Sequence, residues 1–105
     1  MADTVSFRGG SGNSYPFEIY NQNQAFNNVS AVYIFAQLTS SNTLKPLYIG
    51  ESGELGTRIA NHEKWPCANR NGVTHICVHQ VAGEKARLDV ETDLRRNYHT
   101  PCNDQ

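Results

Sequence analysis

No stretch of this chain approaches the roughly 20 consecutive apolar residues that a membrane-crossing helix requires. The start, Met1-Ala2-Asp3-Thr4-Val5-Ser6, has neither the basic end nor the apolar core of a secretory leader, so a cytoplasmic location is expected. Cysteine is scarce: Cys67, Cys77 and Cys102 form an odd set without a Cys-x-x-Cys pair. That pattern argues against a disulfide framework and a standard structural zinc site, and predicts reduced thiols. An excess of positive charge is also missing, since nine Lys and Arg face ten Asp and Glu for a formal charge of −1. Composition therefore supplies no general attraction to nucleic acid. Arg8 is the single basic residue among the first 44, so no basic arm precedes the rest.

What is present suits an ordered globule. The 105 residues are enough for one domain with a modest core, and the content is 38% hydrophobic and 18% charged. Residues 1 to about 14 are rich in Gly, Ser and Asn and read as a loose leading segment, with Gly9-Gly10-Ser11-Gly12-Asn13 its most flexible part and Val5-Ser6-Phe7 able to pair as a short strand. Tyr15-Pro16-Phe17-Glu18-Ile19-Tyr20 is β-rich, its early proline suggesting an edge strand or the first residues of one. We assign residues 1–29 to an N-terminal β extension and 30–105 to the main domain.

Ser30-Ala31-Val32-Tyr33-Ile34-Phe35-Ala36-Gln37 is the most apolar run and reads as a central strand, with Tyr33 and Phe35 on one face and Val32 and Ile34 on the other. A polar loop leads from it into a second strand ending at Gly50, most simply as an antiparallel hairpin that makes Tyr33 and Tyr48 neighbours. Glycines 50 and 53 mark a turn, and Ser52 is a plausible N-cap for a helix. In that helix Leu55 and Ile59 would form the apolar stripe, while Arg58 and His62, also four apart, would share a neighbouring face. Pro66 ends the pattern, and 67–72 reads as loop.

Val73 to Val81 forms another strand. Alternation puts His75, Cys77 and His79 on one face, but ligands about 6 to 7 Å apart in a straight row do not readily converge on one ion. A second helix runs from Glu84 to about Tyr98, with Ala86, Leu88, Val90, Leu94 and Tyr98 as its buried face. Glu91 lies beside that stripe with Arg87 and Arg95 each four away as ion-pair candidates.

Tyr33 in one strand, Tyr48-Ile49-Gly50 ending the next, Arg58 and His62 on a helix, Glu91 on a later helix and Asn103 near the end resemble, in order and spacing, the GIY-YIG nuclease family. The likeness covers roughly residues 30 to 103, with Ala31-Val32-Tyr33 in place of the first tripeptide. It implies an α+β domain, a central three-stranded antiparallel sheet flanked by helices, that cleaves DNA phosphodiesters with one divalent ion, Mg²⁺ or Mn²⁺. Glu91 would hold the metal, Tyr33 would act as or hand on to the base, and Tyr48 would order water or phosphate. Arg58 would contact the scissile phosphate, and Asn103 would brace the site. His62 matches a position that is His in some members and Tyr in others. Ala31 adds a methyl where members commonly have glycine, and Glu51 places an acid near the phosphate position.

These residue types suit phosphodiester attack in their own right. A guanidinium binds phosphate bidentately and stays charged. A lone carboxylate leaves most of a Mg²⁺ shell to water and phosphate. A phenol of pKa about 10 needs roughly 4 kcal/mol of stabilisation to ionise at pH 7; alternatively His62 takes the proton through Tyr33 or a water. Weak DNA affinity is expected, which a protein partner or a homodimer would supplement. The competing readings are a noncatalytic nucleic-acid-binding or adaptor domain that keeps the fold, and a small structural metal protein built on His75, Cys77 and His79.

Overall fold

The most apolar run lies at the centre of the molecule. In a computed structural model, which describes residues 3–103, β3 (Ala31–Leu38) pairs antiparallel on one side with β4 (Leu44–Ser52) and on the other with β5 (His75–Gln80). A strand paired on both edges between two apolar layers must bury both faces, and residues 31 to 36 are all buried. The sheet continues beyond β5 through β2 (Ser14–Asn21) to β1 (Asp3–Arg8), in the order β1-β2-β5-β3-β4. It is thus an open antiparallel sheet of five strands among the described residues, where a three-stranded central sheet and a separate N-terminal β extension were expected, in an α+β domain.

The N-terminal segment accounts for the difference. Its expected loose leader is paired strand from Asp3 onward, and Met1 and Ala2 lie outside the described residues. Gly9 to Asn13 form a closed turn instead of a flexible linker. Gly9 N–H donates to Asn13 O, Ser11 N–H and Oγ donate to the Asp93 carboxylate at 2.8 and 2.6 Å, and Tyr15 Oη donates to it at 2.7 Å. These bonds join the N-terminal hairpin to the last helix. Residues 15 to 20 are an interior strand, not an edge: the pairing of β2 with β5 covers Glu18 to Asn21 and leaves Pro16 outside it, so the missing proline donor costs that ladder nothing.

Helices cover both faces. On one, α1 (Leu55–Ala60) and α2 (Trp65–Arg70) bring Leu55, Ile59, Cys67 and Ala68 onto Tyr33, Phe35 and Leu47. On the other, α3 (Glu84–Asn97) brings Leu94 onto Val32, Ile34 and Ile49. The single helix expected up to Trp65 is therefore two. Pro66 does not end a helix but sits in the first turn of α2, where the lost donor has no helical partner to miss. Ser52 is still in β4. The amides at the start of α1 are met by the loop before β3, with Leu55 N–H donating to Val29 O and Thr57 N–H to Asn28 Oδ1 at 2.7 Å.

The buried stripe of α3 is also rotated from the one expected. Ala86 and Leu88 are exposed, while Arg87 and Asp93 are buried with Leu94. Both charged residues find partners far away in sequence, which local periodicity does not register. Reduced thiols were expected throughout; instead Cys67 of α2 is bonded to Cys102 in the closing loop, 35 residues on, and Cys77 stays free and buried. The unforeseen α2 carries Cys67 to the chain's last turn.

Closing a loop of 35 residues restricts the unfolded chain by about 4 kcal/mol. The paired variant Cys67→Ala/Cys102→Ala should lose about that much in urea unfolding, and an unchanged midpoint at unchanged slope would contradict it.

Candidate catalytic site

The hairpin of β3 and β4 sets Tyr33 directly opposite Gly50, with Tyr48 two residues before it. A Cβ at Gly50 would stand 2.7 Å from both the Tyr33 hydroxyl and the Tyr48 ring, so only glycine lets the two phenols lie over this strand. Their ring centroids are 6.1 Å apart. Tyr33 is wholly buried and Tyr48 half-buried.

His62 completes this centre from an unexpected place. The helix ends at Ala60, so Arg58 and His62 do not share a helical face. His62 lies in the short turn before α2 and reaches Tyr33, with Nε2 2.7 Å from the hydroxyl oxygen. The Lys64 backbone N–H donates to His62 Nδ1 at 3.0 Å. A backbone amide can only donate, so Nδ1 is the bare nitrogen, the neutral ring carries its proton on Nε2, and Nε2–H donates to Tyr33. The imidazole is 5% exposed, with Phe35 and Tyr48 each 4.9 Å from it between centroids. Burial, and then the charge of Arg58, lower its pKa to about 4.

Arg58 lies beside the same hydroxyl, and its charge acts to lower the Tyr33 pKa. Burial acts more strongly the other way, followed by Tyr48, and the phenol is raised above its ordinary value. Tyr33 thus rests as a neutral phenol accepting from His62. The Arg58 fork is filled by Glu63, whose two oxygens accept from Nη1 and Nη2 at 2.5 and 2.9 Å.

Asn103 supports the strand from below. Its Oδ1 accepts from Ile49 N–H at 2.8 Å and its Nδ2 donates to Ile49 O at 2.9 Å, so one side chain satisfies both backbone groups of the residue between Tyr48 and Gly50. Thr100 Oγ1 donates to the same Oδ1, and Cys102 N–H donates to Leu47 O.

Glu91 stands apart from this group, on α3 at the opposite face of the sheet, and is half-buried. Burial raises its pKa, Arg95 opposes that, and Glu51 adds to it. Glu51 follows Gly50 in β4, so one peptide of that strand separates the residue under the phenols from the one that faces α3. Arg87, one of the two ion-pair candidates for Glu91, donates instead to Glu51 at 2.8 Å and to Val81 O and Ala82 O. A half-buried carboxylate opposed by burial and by a second carboxylate is relieved by a hard cation, and its oxygens are the donors that Mg²⁺ or Mn²⁺ prefers. The donor chemistry at Glu91 therefore fits such an ion.

His75, Cys77 and His79 do not form a cluster. Cys77 is buried in the core under α3, His79 packs 5.4 Å from Phe17, and His75 Nδ1 is 2.8 Å from Thr74 Oγ1. No group of three His, Cys, Asp or Glu residues among the described ones is placed to hold a metal. Local spacing also left out Glu63 and Trp65. Glu63 is five residues from Arg58, outside any helical pairing, and Trp65 stacks on Phe35 at 4.4 Å only because α2 begins where a helix was expected to end. No protein-family model, curated protein or solved structure matches the chain.

His62 gives the site a pH signature. Its folded pKa of about 4 lies below the ordinary 6.5. Between these values the unfolded chain binds more protons, so stability falls as pH drops from about 6.5 towards 4 and this contribution levels off below. Urea unfolding across this range should show that slope in the wild type and lose it in His62→Gln; an equal slope in both would contradict the assignment.

Proposed function

We propose that the chain is a metal-dependent DNA endonuclease of GIY-YIG type. The observation that carries this reading is the convergence of Tyr33, Tyr48, His62 and Arg58 over a Tyr-Ile-Gly strand end that Asn103 holds by both backbone groups of Ile49. Arg58 would bind the nonbridging oxygens of the scissile phosphate through its planar donors. Tyr48, the less buried phenol, would order the attacking water. Tyr33, its phenol proton first given up to solvent, would as the phenolate take the proton of that water and return to the neutral phenol; the Nε2–H of His62 and the charge of Arg58 would favour the phenolate, so His62 serves as a donor to Tyr33 rather than the acceptor of its proton. Glu91 would hold Mg²⁺ or Mn²⁺, which when bound offsets charge building on the phosphate oxygens.

DNA is the proposed substrate, and the near-zero net charge argues for weak binding by one copy, with a protein partner or a homodimer adding contacts. Among the described residues no helix is long and apolar enough to cross a membrane. The buried Cys67–Cys102 bond weighs against the cytoplasmic placement expected from the N-terminal sequence, because oxidising compartments are where such bonds persist.

Two features favour the noncatalytic alternative, a nucleic-acid-binding or adaptor domain: Tyr33 is wholly buried and Arg58 is already paired. Cleavage of labelled single-stranded, duplex, flapped and branched DNA with Mg²⁺, Mn²⁺ or EDTA separates the two. Metal-dependent cutting that falls by about 10² to 10³ in Arg58→Ala and in Glu91→Ala is the expected result. Binding without cutting, or variants that cut as well as the wild type, would establish the alternative or a contaminant.

A further inference from the structure

The Arg58 fork is filled in the resting chain by a carboxylate in the geometry a phosphate would use. Glu63 presents two oxygens to two guanidinium nitrogens in the bidentate arrangement that carboxylates and phosphates share. The pair is reached by solvent, with the Arg58 side chain 31% and that of Glu63 59% exposed, so an incoming anion can approach it. Its place in the chain is distinctive. Glu63 follows His62, the residue that donates to Tyr33, and the two belong to one short turn closed by Lys64 N–H on His62 Nδ1. Arg58 itself is beside the Tyr33 hydroxyl.

We propose that Glu63 is a self-occupying gate on the anion site of Arg58, a side chain that a phosphate or phosphodiester group must displace before it can bind. The inference rests on the reading of Arg58 as a phosphate-binding group and names the residue that sets its affinity. The ligand class is an oxyanion with at least two oxygens available to one guanidinium, and a singly charged phosphodiester meets that requirement. Competition follows directly from the shared fork. The apparent affinity of an incoming anion is its intrinsic affinity multiplied by the fraction of time the fork is free, so a fork paired for about nine-tenths of the time binds about tenfold more weakly.

The test uses the full chain and inorganic phosphate, with no DNA and no metal. Phosphate is titrated at low ionic strength while the Arg58 Nε–H resonance is followed by NMR, in the wild type, Glu63→Gln, Glu54→Gln and Glu63→Gln/Arg58→Ala. Glu54→Gln removes the same charge from the residue just before α1, and so corrects for a general change in anion attraction. Because the double variant lacks the reporting arginine, its phosphate binding is read by calorimetry. Glu63→Gln should tighten phosphate binding about tenfold, Glu54→Gln should change it less than twofold, and the double variant should lose it. An equal response of Glu63→Gln and Glu54→Gln, or no phosphate binding in any variant, would overturn the gate. Tighter phosphate binding in Glu63→Gln with no DNA cutting would keep the gate and remove the nuclease reading. DNA cutting with no gain in phosphate binding would do the reverse.

Discussion

The hydrogen bond between His62 Nε2 and the Tyr33 hydroxyl, 2.7 Å long, is the interaction on which the rest of this site depends. It links the centre of the sheet to the turn between α1 and α2 and gives the buried Tyr33 hydroxyl, which Arg58 and Tyr48 also approach, a close partner. Leaving such a group unpaired costs about 1 to 3 kcal/mol. Its direction is set by the Lys64 amide, which occupies the other ring nitrogen. The packing of Phe35 and Tyr48 against His62, and of Trp65 on Phe35, holds the ring neutral and in place. Burial then opposes charge on both partners of the bond.

Strand β4 is the second element of the design. One of its faces carries Tyr48 towards Tyr33, while Glu51, the residue after Gly50, turns to α3 and its charges. Asn103 fixes Ile49 between them, and the Cys67–Cys102 bond anchors the loop that bears Asn103 to α2. Displacement of the closing loop would therefore reach both phenols through the strand. On the far side, the N-terminal hairpin is bonded to Asp93, two residues from Glu91, so the added strands brace the helix that carries the proposed metal ligand.

Much of this was legible in the chain because it follows from alternation. Tyr33 and Phe35 opposite Val32 and Ile34 is a period-two pattern, and the hairpin that makes Tyr33 and Tyr48 neighbours follows from two apolar strands and a polar loop. What was not legible depends on partners distant in sequence. Arg87 and Asp93 are buried because Glu51, Ser11 and Tyr15 receive them, and no helical periodicity predicts that. His62 and Arg58 meet at Tyr33 for a reason other than the expected one: a broken helix turns His62 inwards, where a continuous helix would have aligned it with Arg58. Cys67 and Cys102 look unrelated until α2 and the last turn are both in place.

The most direct test of the central claim is the protonation state of the His62 ring in the wild type, read by long-range ¹H–¹⁵N NMR above pH 6. A proton on Nε2 and a bare Nδ1 is the predicted result, with His62 the donor to Tyr33. A proton on Nδ1, or an even mixture of the two forms, would mean that the Lys64 amide does not fix the ring and that Tyr33 is held in some other way.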